Sequence, residues 1–211
     1  MKSLFRSLIF LGASAIAAAA PLTRDLGSSL VLYRVHALPA DLPAKETGRK
    51  QPAVLDLRYV RAEADAVASV VAWIRFRAGP HAPVFVLVNA ETDPALLAAL
   101  HPRPTLADTL IIGTPTRGFA PDIAVQTSPA DERRAYDALE AGAPLPALLV
   151  ENADKARNDE ASLAKDRSTD PDANDAPGAV TAKLHAPPPP IDAALQRAVH
   201  LHRALVALRK L

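Results

Sequence analysis

The 211-residue chain has no cysteine, which removes disulfides, thiolate metal sites and cysteine nucleophiles together. Aromatic residues are only 4% of it, so a core has to be assembled from Ala, Val and Leu. Charge of either sign is not in excess. The formal net value of +1 leaves no global basic field that would argue for nucleic acid. Beyond the N-terminal segment no apolar run approaches the roughly 20 residues needed to span a bilayer. His36, His81 and His101 are scattered, and His200 and His202 fall on different faces of a helix. None has metal-ligand spacing, so no metal and no cofactor is expected. "GTPTRG" lacks the Gly-Lys-Ser/Thr ending of a phosphate loop.

What is present begins with an export signal. Lys2 and Arg6 precede "SLIFLGASAIAAAA", a short apolar run ending in alanines. This is the pattern of a signal peptide over 1–19, cut near Ala19 because Pro21 disfavours cleavage immediately before it. An uncleaved anchor is the alternative. The mature protein is expected to be periplasmic or secreted, with no transmembrane span.

Over 28–150 the chain alternates strand and helix patterns, which predicts an α/β domain with a largely parallel sheet. "LVLYRVHAL" and "AVLDLRYV" have strand composition. In "EADAVASVVAWIRF", Val67, Val70, Val71 and Ile74 recur at helical spacing. "VFVLV" is continuous and apolar, as expected of a strand covered on both faces. Asp93 can cap the next helix with Pro94 at its first position. "TLIIGT" and "DIAV" are two more short strands, and Ser128-Pro129 opens a further helix that Gly142 can close. Residues 151–190 are rich in charge, Ala and Pro and read as a disordered linker. Residues 191–211 read as an amphipathic helix.

Between Leu30 and Gly142, four short motifs occur in an order that resembles the C-terminal processing (tail-specific) serine peptidases. "AVLDLRYV" at Ala53–Val60 resembles that family's "LDLRgN" strand, and "VFVLVNAET" resembles the strand leading into its nucleophile loop. "IIGTPTRG" at Ile111–Gly118 is similar to the segment that ends at the catalytic lysine, and "APDIAV" at Ala120–Val125 to the family's "PDi.V". The resemblance implies a truncated ClpP/crotonase-like core. It also places the family's serine near Asp93 or Pro94 and its lysine near Phe119, and it puts "YVRAEADA" where the family has a glycine pair.

That family's chemistry needs a serine activated by a lysine that has lost its proton. It also needs backbone N–H groups aimed at the developing oxyanion. With both side chains and the glycines replaced, the expectation is a protein that has kept the scaffold and lost the reaction, with no catalytic residues. Thr92 is the only hydroxyl in the former nucleophile loop and reads as a turn residue. Asp56 and Arg58 point the same way from a strand, either as a buried ion pair or as a loop anchor at the strand's end. Ile191, Leu195, Ala198 and Val199, followed by Leu201, Leu205 and Leu208, form an apolar stripe. Leu201, Leu205 and Leu208 are the candidate docking face. Its destination could be the chain's own domain, a second copy or an envelope partner; an anionic lipid surface is a fourth, disfavoured by the modest basic charge and the lack of an interfacial aromatic. The expected role is binding a protein or peptide, or assisting assembly, in the cell envelope. A hydrolase with a rebuilt site and a structural spacer are the competing readings.

Overall fold

The computed structural model describes residues 22–44, 50–101, 106–149, 190–208, 210 and 211. The signal segment, the linker and Arg209 therefore lie outside the described residues. Six strands form one mixed sheet in sequential order. They are β1 (Leu22–Asp25), β2 (Val31–Arg34), β3 (Ala53–Asp56), β4 (Val84–Val88), β5 (Thr109–Gly113) and β6 (Ile123–Ala124). β1 pairs antiparallel with β2, and every later neighbour is parallel. β1 begins before the expected domain boundary at position 28 and joins the same sheet.

The alternation of side chains along each strand divides the apolar residues between two layers. On one face, Leu55, Val84, Val86 and Val88 meet Val70, Trp73 and Ile74 of α1 (Ala64–Arg77), with Leu96 and Leu97 of α2 (Pro94–Ala99). On the other, Leu32, Val54, Phe85 and Leu87 meet Leu139 of α3 (Pro129–Glu140) and Leu148 of α4 (Leu145–Leu148). Helix α5 (Ala193–Ala207) completes that second layer with Ala194, Leu195, Ala198 and Val199. β4 is buried at all of its positions, as its unbroken apolar run requires.

The caps follow local chemistry. The Asp93 carboxylate accepts the Ala95 N–H at 2.8 Å with Pro94 at the first turn, and the Ser128 hydroxyl accepts the Asp131 N–H at 3.1 Å. At Gly113 the parallel neighbour comes so close that a Cβ would lie 2.0 Å from the Val88 carbonyl oxygen. Only glycine lets β4 and β5 pair there. The buried face of α1 is rotated from the sequence expectation. Ala66, Val70, Trp73 and Ile74 are buried, while Val67 and Val71 are half-buried. The cause is Trp73, which meets Tyr33 edge-on at 6.0 Å and donates its indole N–H to the Pro43 carbonyl at 3.0 Å.

Candidate functional site

In parallel sheets the loops after the strands gather at one edge, and that edge is where ligands are usually bound. Here the loops after β3, β4 and β5 enclose two pockets on either side of Ala90. One, of about 440 Å³, is lined by Thr92, Pro94, Leu97, His101, Arg117 and Phe119 among others. The other, of about 380 Å³, is lined by Tyr59, Asn89, Glu91, Thr114, Glu132 and Arg133 among others.

The loop between them is stitched down by Asn89. Its side-chain oxygen accepts the Tyr59 N–H at 3.3 Å and the Glu91 N–H at 3.1 Å. Thr92 is buried. Its hydroxyl accepts the Asn89 N–H at 3.0 Å, and its single proton faces the Leu57 carbonyl at 3.1 Å and Asn89 Oδ1 at 3.2 Å. Such a hydroxyl serves the loop's architecture. Asp93, besides capping α2, donates its N–H to the Val60 carbonyl at 2.9 Å and accepts the Ala62 N–H at 3.3 Å. Opposite, Thr116 and Phe119 bond each other's backbones at 3.0 and 3.2 Å across a tight turn in which Gly118 has φ +90°. Phe119 is buried by that turn and meets the His101 ring edge-on at 6.0 Å. The structure thus brings Pro94 and Phe119, 25 positions apart in sequence, to the walls of one pocket.

Tyr59 stands in the left-handed region at φ +64°. That conformation disfavours side chains with a Cβ, and strain of this kind is usually kept where a function or a tight turn needs it.

Behind the second pocket lies a buried charge network. Asp56 and Arg58 are a fully buried ion pair at the strand's end. Arg58 donates to both Asp56 oxygens, at 2.9 and 2.8 Å, which decides between the two sequence expectations for these residues. The same guanidinium donates in bidentate fashion to Asp192, at 2.9 and 2.8 Å. Arg34 donates to Asp56 at 3.0 Å and to Glu140 at 3.1 Å, and its guanidinium lies 3.8 Å from the centre of the Tyr136 ring. Burial pushes the Asp56 carboxyl upward, but Arg58 and Arg34 outweigh it and hold its pKa below the ordinary value. Burial, with the Asp56 charge next, pushes Tyr136 up to about 12. Glu132 is the surplus acid. Burial raises its pKa despite Arg58, and Asp192 and Asp56 add to the rise. Its Oε1 has no hydrogen-bond partner and lies 3.9 Å from Arg58 Nη1.

Asp192 caps α5, accepting the Leu195 N–H at 3.0 Å, and so pins that helix to the core. Of the candidate docking face, Leu201 and Leu205 are half-buried against the second core layer, and Leu208 is 67% exposed. The helix docks on its own domain chiefly through Ala194, Leu195, Ala198, Val199 and the buried His202. Among the described residues no helix is long and apolar enough to cross a membrane, and no group of three potential ligands could hold a metal. Arg34, Glu132 and Asp192 had no standing in the sequence as site residues. Asp192 carried the one available signal, an acidic residue just before an amphipathic run. Compared with known protein families, curated proteins and solved structures, the chain shows no match.

Proposed function

We propose that this chain is an exported, non-catalytic relative of the tail-specific serine peptidases, with a truncated ClpP/crotonase-like core, that binds protein or peptide segments at the carboxyl edge of its sheet. The observation that carries the reading is the meeting of Pro94 and Phe119 in one pocket. The motif resemblance places nucleophile and base near Asp93 or Pro94 and near Phe119, and the parallel pairing of β4 with β5 sets the loops that carry these positions side by side, as that ancestry requires. A second observation favours the same ancestry. Tyr59, at the first position after "LDLR", holds the left-handed backbone that a glycine would supply.

The groups at those positions support binding over turnover. Asp93 is committed to capping and to the Ala62 N–H, Pro94 has no nucleophile, and Phe119 is part of the core. The pocket keeps apolar walls, with Thr116, Arg117 and His101 as polar groups. A concave apolar surface with a few polar groups suits an extended segment of another protein. The cell envelope is the expected setting, on the strength of the N-terminal signal pattern.

Fluorescein-labelled unfolded casein tests this. Ala98 is exposed and lines the pocket, so Ala98→Trp should fill it, weakening casein binding at least tenfold while leaving the melting temperature unchanged. The wild-type protein should leave casein intact. Casein cleavage that vanishes in Thr92→Ala would replace this reading with that of a hydrolase with a rebuilt site.

A further inference from the structure

The second pocket has a charge problem that its surroundings do not solve. Counting the buried network and its border, Arg34 and Arg58 face Asp56, Asp192 and Glu140 before Glu132 is added. The acids already outnumber the guanidinium groups. Arg58, the cation nearest Glu132, already makes bidentate contact with Asp192 and contacts both Asp56 oxygens. The remaining contact of Glu132 is the Asn89 side-chain amide, at 3.5 Å from Oε2. A second acid, Glu91, lines the same pocket and is exposed, with Arg61 3.5 Å away. Among the described residues the only basic one on the wall is Arg133, whose Nε donates to both oxygens of Asp137 at 2.9 and 3.0 Å and whose guanidinium lies 4.8 Å from the centre of the Tyr59 ring. Arg133 thus engages Asp137 and Tyr59 and leaves Glu132 without a cation of its own. A buried acid with an unpartnered oxygen, beside a second acid and a concavity of about 380 Å³, is the chemistry that recognises an ammonium group.

We infer that this pocket receives a protonated amine of the bound protein segment, with Glu132 as its counter-ion. The inference rests on the peptide-binding reading and names the chemistry that such a segment must carry. Two sources supply the same group, a lysine side chain and a free N-terminus. Charge balance sets the pH behaviour. Glu132 faces Arg58 and Asp56 from the end of β3, Asp192 from the cap of α5, and Tyr59 and Asn89 from the neighbouring loops. Arg133 stands beside it on α3. With its own ionisation held back by burial and by the two aspartates, Glu132 accepts the amine only as it loses its proton. Affinity therefore rises with pH until Glu132 is ionised, and falls again as the amine deprotonates, near a pKa of about 10 for a lysine side chain and about 8 for a free N-terminus.

The test is an NMR titration of the full chain, following the backbone amides of Ala90 and Thr114. The probes are N-acetyl-lysine methylamide, its neutral norleucine counterpart, and alanyl-alanine amide with its amine free or acetylated. At least one free amine should bind tenfold or more tightly than its neutral counterpart, and the preferred probe identifies the source. The preference should collapse in Glu132→Gln and be larger at pH 7 than at pH 5, growing only while Glu132 is losing its proton and by at most about tenfold per unit. Neutral probes binding within twofold of the amines on the wild-type chain would overturn the inference, whatever the variant does. So would the absence of any amine-induced shift. Casein binding is read separately through the Ala98→Trp pocket, so loss of one result leaves the other standing.

Discussion

Removing the Asp192 carboxylate should strike two supports of the fold at once. Asp192 is 1% exposed, and it both caps α5 and holds Arg58 in bidentate contact. In Asp192→Ala the guanidinium stays buried with one of its two carboxylates gone, a loss worth about 3–5 kcal/mol. The missing cap adds about 1 kcal/mol. The sum, about 4–6 kcal/mol, approaches the whole stability of many domains, which lies at about 5–15 kcal/mol. Asp192→Asn keeps an acceptor for the Leu195 N–H, so it should be milder than alanine by about the cap contribution of 1 kcal/mol. Urea unfolding can be followed by the fluorescence of Trp73, the only tryptophan, which lies in the layer on the far side of the sheet from α5. Far-UV circular dichroism is needed beside it, because it also registers loss of α5 alone. If the helix detaches first, the dichroism transition will precede the fluorescence transition. If the fold is one cooperative unit, both will move together. Arg58→Met should cost at least about 1 kcal/mol less in the Asp192→Ala background than in the wild-type chain, a coupling expected only of groups in contact. A cost for Asp192→Ala below about 1 kcal/mol, comparable to a surface pair, would refute the reasoning.

Two other outcomes follow from the same geometry. Gly113→Ala places a Cβ 2.0 Å from the Val88 carbonyl oxygen and should force β4 and β5 apart. A destabilisation of about 1–3 kcal/mol or more is expected from denaturant melts, and a neutral result would mean that the strands pair differently there. Glu132→Gln should be stabilising, increasingly so as pH rises. The folded-state pKa of Glu132 lies above the ordinary 4.5, so below 4.5 the acid is protonated in both states and the variant gains little. Through the window above 4.5 the wild-type side chain must ionise in an unfavourable site, and the gap opens until the folded-state value is passed. Melts at pH 4 and pH 7 read the difference, and a gap that is constant or shrinks with pH contradicts the assignment.

Local chemistry made parts of this molecule legible in advance. The unbroken "VFVLV" run, the Asp93-Pro94 helix start and the Ser128-Pro129 start each act within a few residues, and each formed as read. β1 was not legible. Three of its residues, Thr23, Arg24 and Asp25, are exposed, so no apolar period marks it, and it exists because β2 offers an edge to pair with. The charge network was out of reach for a different reason. Arg58 meets Asp192 across 134 positions and Arg34 meets Glu140 across 106. An isolated acid or base in a sequence reads as surface until its partner is placed. The split of the carboxyl edge into one pocket with Pro94 and Phe119 and another with Glu132 depends on the fold of the Asn89–Asp93 loop, which spacing alone does not reveal.

The Asp192 N–H donates to the Leu148 carbonyl at 3.0 Å. Leu148 and Asp192, 44 positions apart in sequence, are thereby held side by side, so the end of α4 and the start of α5 share one anchor point. The entropy cost of bringing two points of a chain together grows only with the logarithm of their separation, about 0.6 kcal/mol for each doubling. Where α5 sits is accordingly set by the groups that meet at that anchor, Asp192 with Arg58 above all, and only weakly by the number of positions between the two helices.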